Sequence, residues 1–135
     1  FSYGAKKVVF VDSDINCLKL IETNLISLGI KPRANTDSLN CRIYRKDSLE
    51  APCFLERQGL KFDIIFLDTT HLTALAKKSL LAIISYDILT PLGIVVIEHC
   101  KKEELPQTEG SLILFKQKYY GDKVLSFYKK VLCSL

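Results

Sequence analysis

Residues 62–71 read Phe-Asp-Ile-Ile-Phe-Leu-Asp-Thr-Thr-His, an apolar run that ends in an acid, two hydroxyls and an imidazole. Asp68 can accept hydrogen bonds from an amine, and the ring of His71 can stack on a planar ligand. Ile64-Ile65-Phe66-Leu67 has the pattern of a strand buried on both faces. In an open α/β sheet, the residues just past a strand's carboxyl end line the ligand crevice. An acid placed there costs free energy unless something pairs with it. Taken alone, Asp68 reads more simply as the N-cap of the next helix. Asp12 and Asp47 shift that weighting, because each also stands just past an apolar run. An acid after a first strand can accept both ribose hydroxyls of a nucleoside, and a polar group after the next can meet an adenine edge.

The elements that must position these acids follow from periodicity. Residues 7–11 (KVVFV) predict a buried strand. Residues 14–28 carry Ile15, Leu18, Leu20, Ile21, Leu25 and Leu28 at helical spacing, with Gly29 as the residue that ends the helix. A polar loop over 31–40 leads to a short strand at 41–45. A short helix or turn spans 48–58, and Gly59 terminates it. After the strand at 62–67, a long apolar helix is predicted over 72–89, stopped by a Thr90-Pro91-Leu92-Gly93 turn. Residues 94–98 (IVVIE) predict another buried strand and 101–110 a loop. Residues 111–119 and 123–130 alternate as an antiparallel hairpin around Gly121-Asp122. Strands alternating with helices imply a mostly parallel sheet closed by that hairpin, in one α/β domain over residues 1–135.

Composition bounds the rest. The chain has 135 residues, 48% hydrophobic and 25% charged, which are globular values. Five scattered cysteines without a CxxC pair argue against a zinc site or a disulfide framework and point to a reducing, cytoplasmic compartment. No metal site is expected, and His99 reads as a packed or solvated histidine. No apolar run approaches a membrane span. The net charge of +4 permits a polyanionic partner without requiring one. The mean hydropathy of +0.16 is high for a free-standing domain and suggests apolar surface that something else covers.

These residues resemble the Rossmann-like class of S-adenosylmethionine-dependent methyltransferases. More narrowly, the chain resembles the 16S rRNA guanine-N2 methyltransferase family of RsmD type, over almost its whole length. The segments that carry the resemblance are Tyr3-Gly4-Ala5-Lys6-Lys7-Val8, Val11-Asp12-Ser13-Asp14, Lys46-Asp47-Ser48 and Phe62-Asp63-Ile64-Ile65-Phe66-Leu67-Asp68. Ile97-Glu98-His99-Cys100-Lys101-Lys102 and residues 120–128 (YGDKVLSFY) complete it, the last being the most specific. The resemblance implies a three-layer Rossmann-like sandwich. It assigns S-adenosylmethionine as cofactor, bound through Asp12, Ser13, Asp47, Ser48 and Asp68, and rRNA or the small ribosomal subunit as partner. It implies that Asp68, Thr69, Thr70 and His71 form the catalytic turn. There the acid orients an exocyclic amine and His71 stacks on an extruded base.

The chain departs from that family in two ways. The strand and glycine-rich loop that open the family's fold have no counterpart here, so an N-terminally incomplete domain is expected. By resemblance the missing strand lies between those ending at Asp12 and Asp68, and its absence leaves edges that invite self-association. The family's tetrad is Asp/Asn-Pro-Pro-aromatic, and two threonines leave the turn looser than two prolines. Threonines that merely cap a helix in an inactive, RNA- or protein-binding relative are the alternative reading. A DNA adenine or a small-molecule amine are alternative substrates on the same fold. Lys101, Lys102, Lys116, Lys118 and Lys123 could meet RNA phosphates.

Overall fold

β-Branched and aromatic runs form the strands and leucine-rich stretches the helices, in a computed structural model that describes residues 5–30, 40–69 and 74–131. The order is β1 (Lys7–Asp12), α1 (Ile15–Ser27), β2 (Asn40–Arg45), α2 (Ala51–Arg57), β3 (Phe62–Asp68) and α3 (Leu75–Ile84). It continues as β4 (Leu89–Cys100), β5 (Thr108–Glu109), β6 (Leu112–Tyr120) and β7 (Lys123–Lys130). The chain divides into two compact units, one ending at Ala51 and one beginning at Pro52.

In the first unit, β1 and β2 pair in parallel from Lys7↔Asn40 to Asp12↔Arg45. Helix α1 lays Leu18 and Leu25 onto Cys41 and Ile43, with Phe10, Ile21 and Ile30 around them. Asp14 caps its first turn, accepting from the Asn16 amide at 2.8 Å. Gly29, at φ 77°, ends it as the sequence predicts, and the Ile30 amide returns to the Leu25 carbonyl. Leu20 and Leu28, counted on the helix's apolar face, are exposed instead.

The second unit is a five-stranded sheet ordered β3-β4-β7-β6-β5. β3 and β4 are parallel, and the remaining ladders are antiparallel. One face carries Val95, Ile97, Val124 and Tyr128, all essentially inaccessible. Helix α3 packs on β4 and β5 and buries Ala76, Leu80 and Ile83.

Two expectations are corrected. β3 is not buried on both faces: Ile64 is 66% and Phe66 59% exposed. It is an edge strand, pairing with β4 and with no second strand among the described residues. Nor does the helix run to residue 89 and stop at a turn. It ends at Ile84, and Thr90, Pro91, Leu92 and Gly93 lie inside β4. There the β3–β4 register slips between Phe62 and Ile64, and Leu92 takes φ 63°. A bulge accommodates proline's missing donor, and the Thr90 hydroxyl donates to Asp63 Oδ1 at 2.9 Å.

The Tyr128 hydroxyl donates to the Pro106 carbonyl at 2.6 Å, tying β7 to the loop after β4. Burial, with Glu109 nearby, pushes this phenol up to about 12. An unfolded tyrosine ionises near about 10. Between those two values the unfolded chain gives up its proton first, so stability falls as pH rises. Thermal melts across that alkaline range should show the decline, and Tyr128→Phe should flatten it. Equal slopes in the two proteins would remove Tyr128 as the cause.

Candidate active site

In the first unit the strand-end acids come together. Asp12 is the last residue of β1, opposite Arg45, and Asp47 lies two residues beyond Arg45. Parallel neighbours are about 4.8 Å apart, so both acids occupy one rim of the ladder. The Lys46 amide closes that rim on the Asp12 carbonyl at 3.1 Å, and Arg45 Nε donates to the Ser13 carbonyl at 3.1 Å. Each carboxylate is held by a local turn. Asp12 Oδ1 accepts from the Asp14 amide at 2.9 Å, and Asp47 Oδ1 from the Leu49 amide at 2.8 Å. The Asp47 carbonyl also accepts from the Ala51 amide at 2.9 Å, which starts α2. Asp47, Ser13 and Ser48 are exposed and Asp12 is half-buried.

These residues suit the nucleoside half of a dinucleotide-like or S-adenosyl cofactor. A turn-held carboxylate keeps a further oxygen for ribose hydroxyls, and Asp47 offers an acceptor at the neighbouring position. No glycine-rich phosphate- or methionine-cradling sequence occurs in the chain.

In the second unit Asp68 ends β3, exposed and in register with Glu98 of β4. It does not cap the following helix. The N-cap of α3 is Ala74, at φ 63° and without a side-chain capping bond. The structure thereby removes the simpler reading of Asp68. Thr69 is 3% exposed, and both its amide and its hydroxyl donate to the Glu98 carbonyl at 2.9 Å. The hydroxyl pins the end of β3 to β4 and caps no helix. Thr70 and His71 lie outside the described residues.

The sequence assigns Glu98 no role of its own. The parallel ladder sets it beside Asp68, on the same face. The signal was available, because IVVIE ends in an acid just as the run before Asp68 does. His99 is packed, not solvated. Its Nδ1 lies 3.0 Å from the Cys100 carbonyl, which can only accept, so that nitrogen carries the proton. Nε2 then accepts from the Ser126 hydroxyl at 2.7 Å, and Ser126 Oγ accepts from Gln117 Nε2 at 2.9 Å. This chain of bonds ties β4, β7 and β6 together beneath the site.

The family model described as Conserved hypothetical protein 95 matches residues 1–129. The Bacillus subtilis protein named "Putative rRNA methyltransferase YlbH" is 30% identical over 129 residues, 96% of this chain and 66% of that protein. The chain therefore spans just under two thirds of that relative's length. Among solved structures, "putative methylase HI0767" from Haemophilus influenzae aligns with a TM-score of 0.77 at 26% identity, covering 97% of this chain and 76% of its own. "Putative methyltransferase yhhF" from Escherichia coli aligns with a TM-score of 0.73 at 18% identity, covering 94% and 64%, and bears on the fold alone. The fold is that of the Rossmann-like methyltransferases, and the chain belongs to the Conserved hypothetical protein 95 family, the RsmD-type group that its strand-end acids resemble.

Proposed function

We propose that this chain is the greater part of an S-adenosylmethionine-dependent methyltransferase that modifies the exocyclic N2 amine of guanine in small-subunit rRNA. One observation carries the reading: Asp68 stands exposed at the carboxyl end of β3, and the N-cap of α3 is Ala74. Its role is then to accept from the amine and orient the nitrogen lone pair, and afterwards to take up the proton that the nitrogen sheds. Thr69 anchors the turn through the Glu98 carbonyl, standing in for the stiffness that prolines supply elsewhere. Thr70 belongs to the same catalytic segment, and the role of His71 is to stack on the extruded base. Asp12, with Ser13 beside it, holds the ribose, and Asp47 with Ser48 meets the adenine edge. S-adenosylmethionine, when bound, supplies the electrophilic methyl group. The compartment is the cytoplasm, in keeping with the free thiols of Cys17, Cys41, Cys53 and Cys100.

Tritium transfer from labelled S-adenosylmethionine to small ribosomal subunits, free rRNA, DNA and small amines tests the proposal. Labelled guanine-N2 in rRNA is the expected product. Cofactor binding by calorimetry without transfer to any acceptor would favour an inactive, RNA-binding relative. Label in DNA adenine or a small amine would keep the chemistry and change the substrate.

We also propose that the chain self-associates through β3, the terminal strand of its sheet. Among the described residues β3 pairs with β4 alone, and Ile64 and Phe66 stand exposed along it, a surface that invites another strand. Sedimentation velocity should show the average mass rising with concentration, and I64K/F66K should restore the monomer. Concentration-independent monomer in the parent protein would end this proposal.

A further inference from the structure

The net charge has an address. Residues 112–130, the β6–β7 ribbon, carry five lysines and one aspartate, which accounts for the whole +4 of the chain. Strand register then sorts those lysines by face. Directly paired residues share a face, and successive residues along a strand point to opposite faces. From Lys116↔Phe127, Lys118↔Leu125, Tyr120↔Lys123 and Ile113↔Lys129, four lysines (116, 118, 123 and 129) lie on the face away from Tyr128 and α3. The fifth, Lys130, lies on the other face, where it donates to the Leu89 carbonyl at 3.0 Å and stands 3.8 Å from Asp87.

A bulge creates this arrangement. Leu114 pairs with Tyr128 and Lys116 with Phe127, so Phe115 is the extra residue. Plain alternation from Leu112 and Leu114 would turn Lys116 and Lys118 toward the buried side. The bulge reverses them. Phe115 lies 6.1 Å from Phe127 ring to ring, and Lys116 Nζ stands 5.7 Å over the Phe127 ring. The tip adds Tyr120, 55% exposed, and the Lys101 amide joins it to the end of β4 through the Asp122 carbonyl at 2.7 Å.

The same register links the ribbon to Asp68. Asp68 pairs with Glu98, Glu98 with Leu125 and Leu125 with Lys118, one cross-strand row on one face. Three strand spacings make that row about 14 Å long. We propose that the lysine-bearing face of the β6–β7 ribbon binds the RNA strand beside the target base, deepening the methyltransferase reading on which it rests. Lys116, Lys118, Lys123 and Lys129 contact phosphates, and Tyr120 stacks on an unpaired base. Phosphate neutralisation by lysines with an aromatic platform among them is the chemistry of single-stranded RNA binding. Asp68 and Glu98, the acids of this face, stand on β3 and β4, away from the β6 lysines.

Fluorescence anisotropy of the full chain with a labelled single-stranded rRNA segment, at several salt concentrations, tests this. K118A/K123A should weaken binding at least about tenfold and reduce the salt slope by about 1.4, two contacts at about 0.7 each. Tyr120→Ala should weaken binding with the slope unchanged. K77A/K78A, on exposed positions of α3, should bind like the parent. Circular dichroism melts confirm that each variant folds. RNA binding and salt slope unchanged in K118A/K123A would overturn the inference and leave the methyltransferase reading intact. A parent protein that binds no RNA at any salt would overturn both. Capture by phosphatidylserine vesicles with no RNA binding would overturn the inference in favour of an anionic membrane surface.

Discussion

Asp68→Ala is expected to lower methyl transfer by about two to three orders of magnitude, the usual cost of losing a group that aligns reacting atoms. Cofactor affinity, measured by calorimetry, should stay within about threefold of the parent, because the nucleoside contacts proposed for Asp12, Ser13, Asp47 and Ser48 remain and Asp68 acts chiefly on the acceptor. The fold should tolerate the change. Asp68 is exposed, the N-cap of α3 is Ala74, and Thr69 joins β3 to β4 at this point through the Glu98 carbonyl. Asp68→Asn keeps an acceptor oxygen without the charge, so it should retain more activity than alanine. Transfer by Asp68→Ala at the parent rate would exclude this carboxylate as the group that orients the amine.

The second large effect is expected at Asp12. A carboxylate that accepts from both ribose hydroxyls makes two charge-assisted bonds, each worth about 1.5–3 kcal/mol. Asp12→Ala should therefore weaken cofactor binding by about a hundredfold or more, since each 1.4 kcal/mol is about tenfold. The local turn complicates alanine, because Asp12 Oδ1 also accepts from the Asp14 amide just before α1. Asp12→Asn separates the two roles. It keeps an acceptor for Asp14 and loses the charge, so a weaker cofactor affinity with an unchanged melting temperature identifies the ribose contact. Parent-like affinity in both variants would place the nucleoside elsewhere.

The parts of the fold that were legible in the sequence are those governed by local rules. Gly29 ends α1 because only a residue tolerant of positive φ closes that helix without strain. The strands that end at or just before Asp12, Asp47 and Asp68 were legible because short apolar runs punctuated by acids and glycines leave little choice of period. The end of α3 was not. Ile88 and Leu89 continue an apolar pattern that suits a helix and a buried strand equally, and pairing with Phe62 of β3 decided for a strand that begins at Leu89. Pro91, read as a stop, sits in a bulge because the β3–β4 ladder needs its register shifted there.

The sequence by itself determined the acids, their places at the carboxyl ends of strands, and the alternation that makes an α/β sheet, because these depend on residue type and short-range spacing. Whether Asp68 is a cap or an exposed site acid depended on where the next helix starts, which a capping signal cannot report when the N-cap is Ala74. That Glu98 stands beside Asp68, and that four lysines share its face, depended on strand order and on one extra residue at Phe115. A single bulge inverts every side chain beyond it, and only pairing with another strand reveals that it is there.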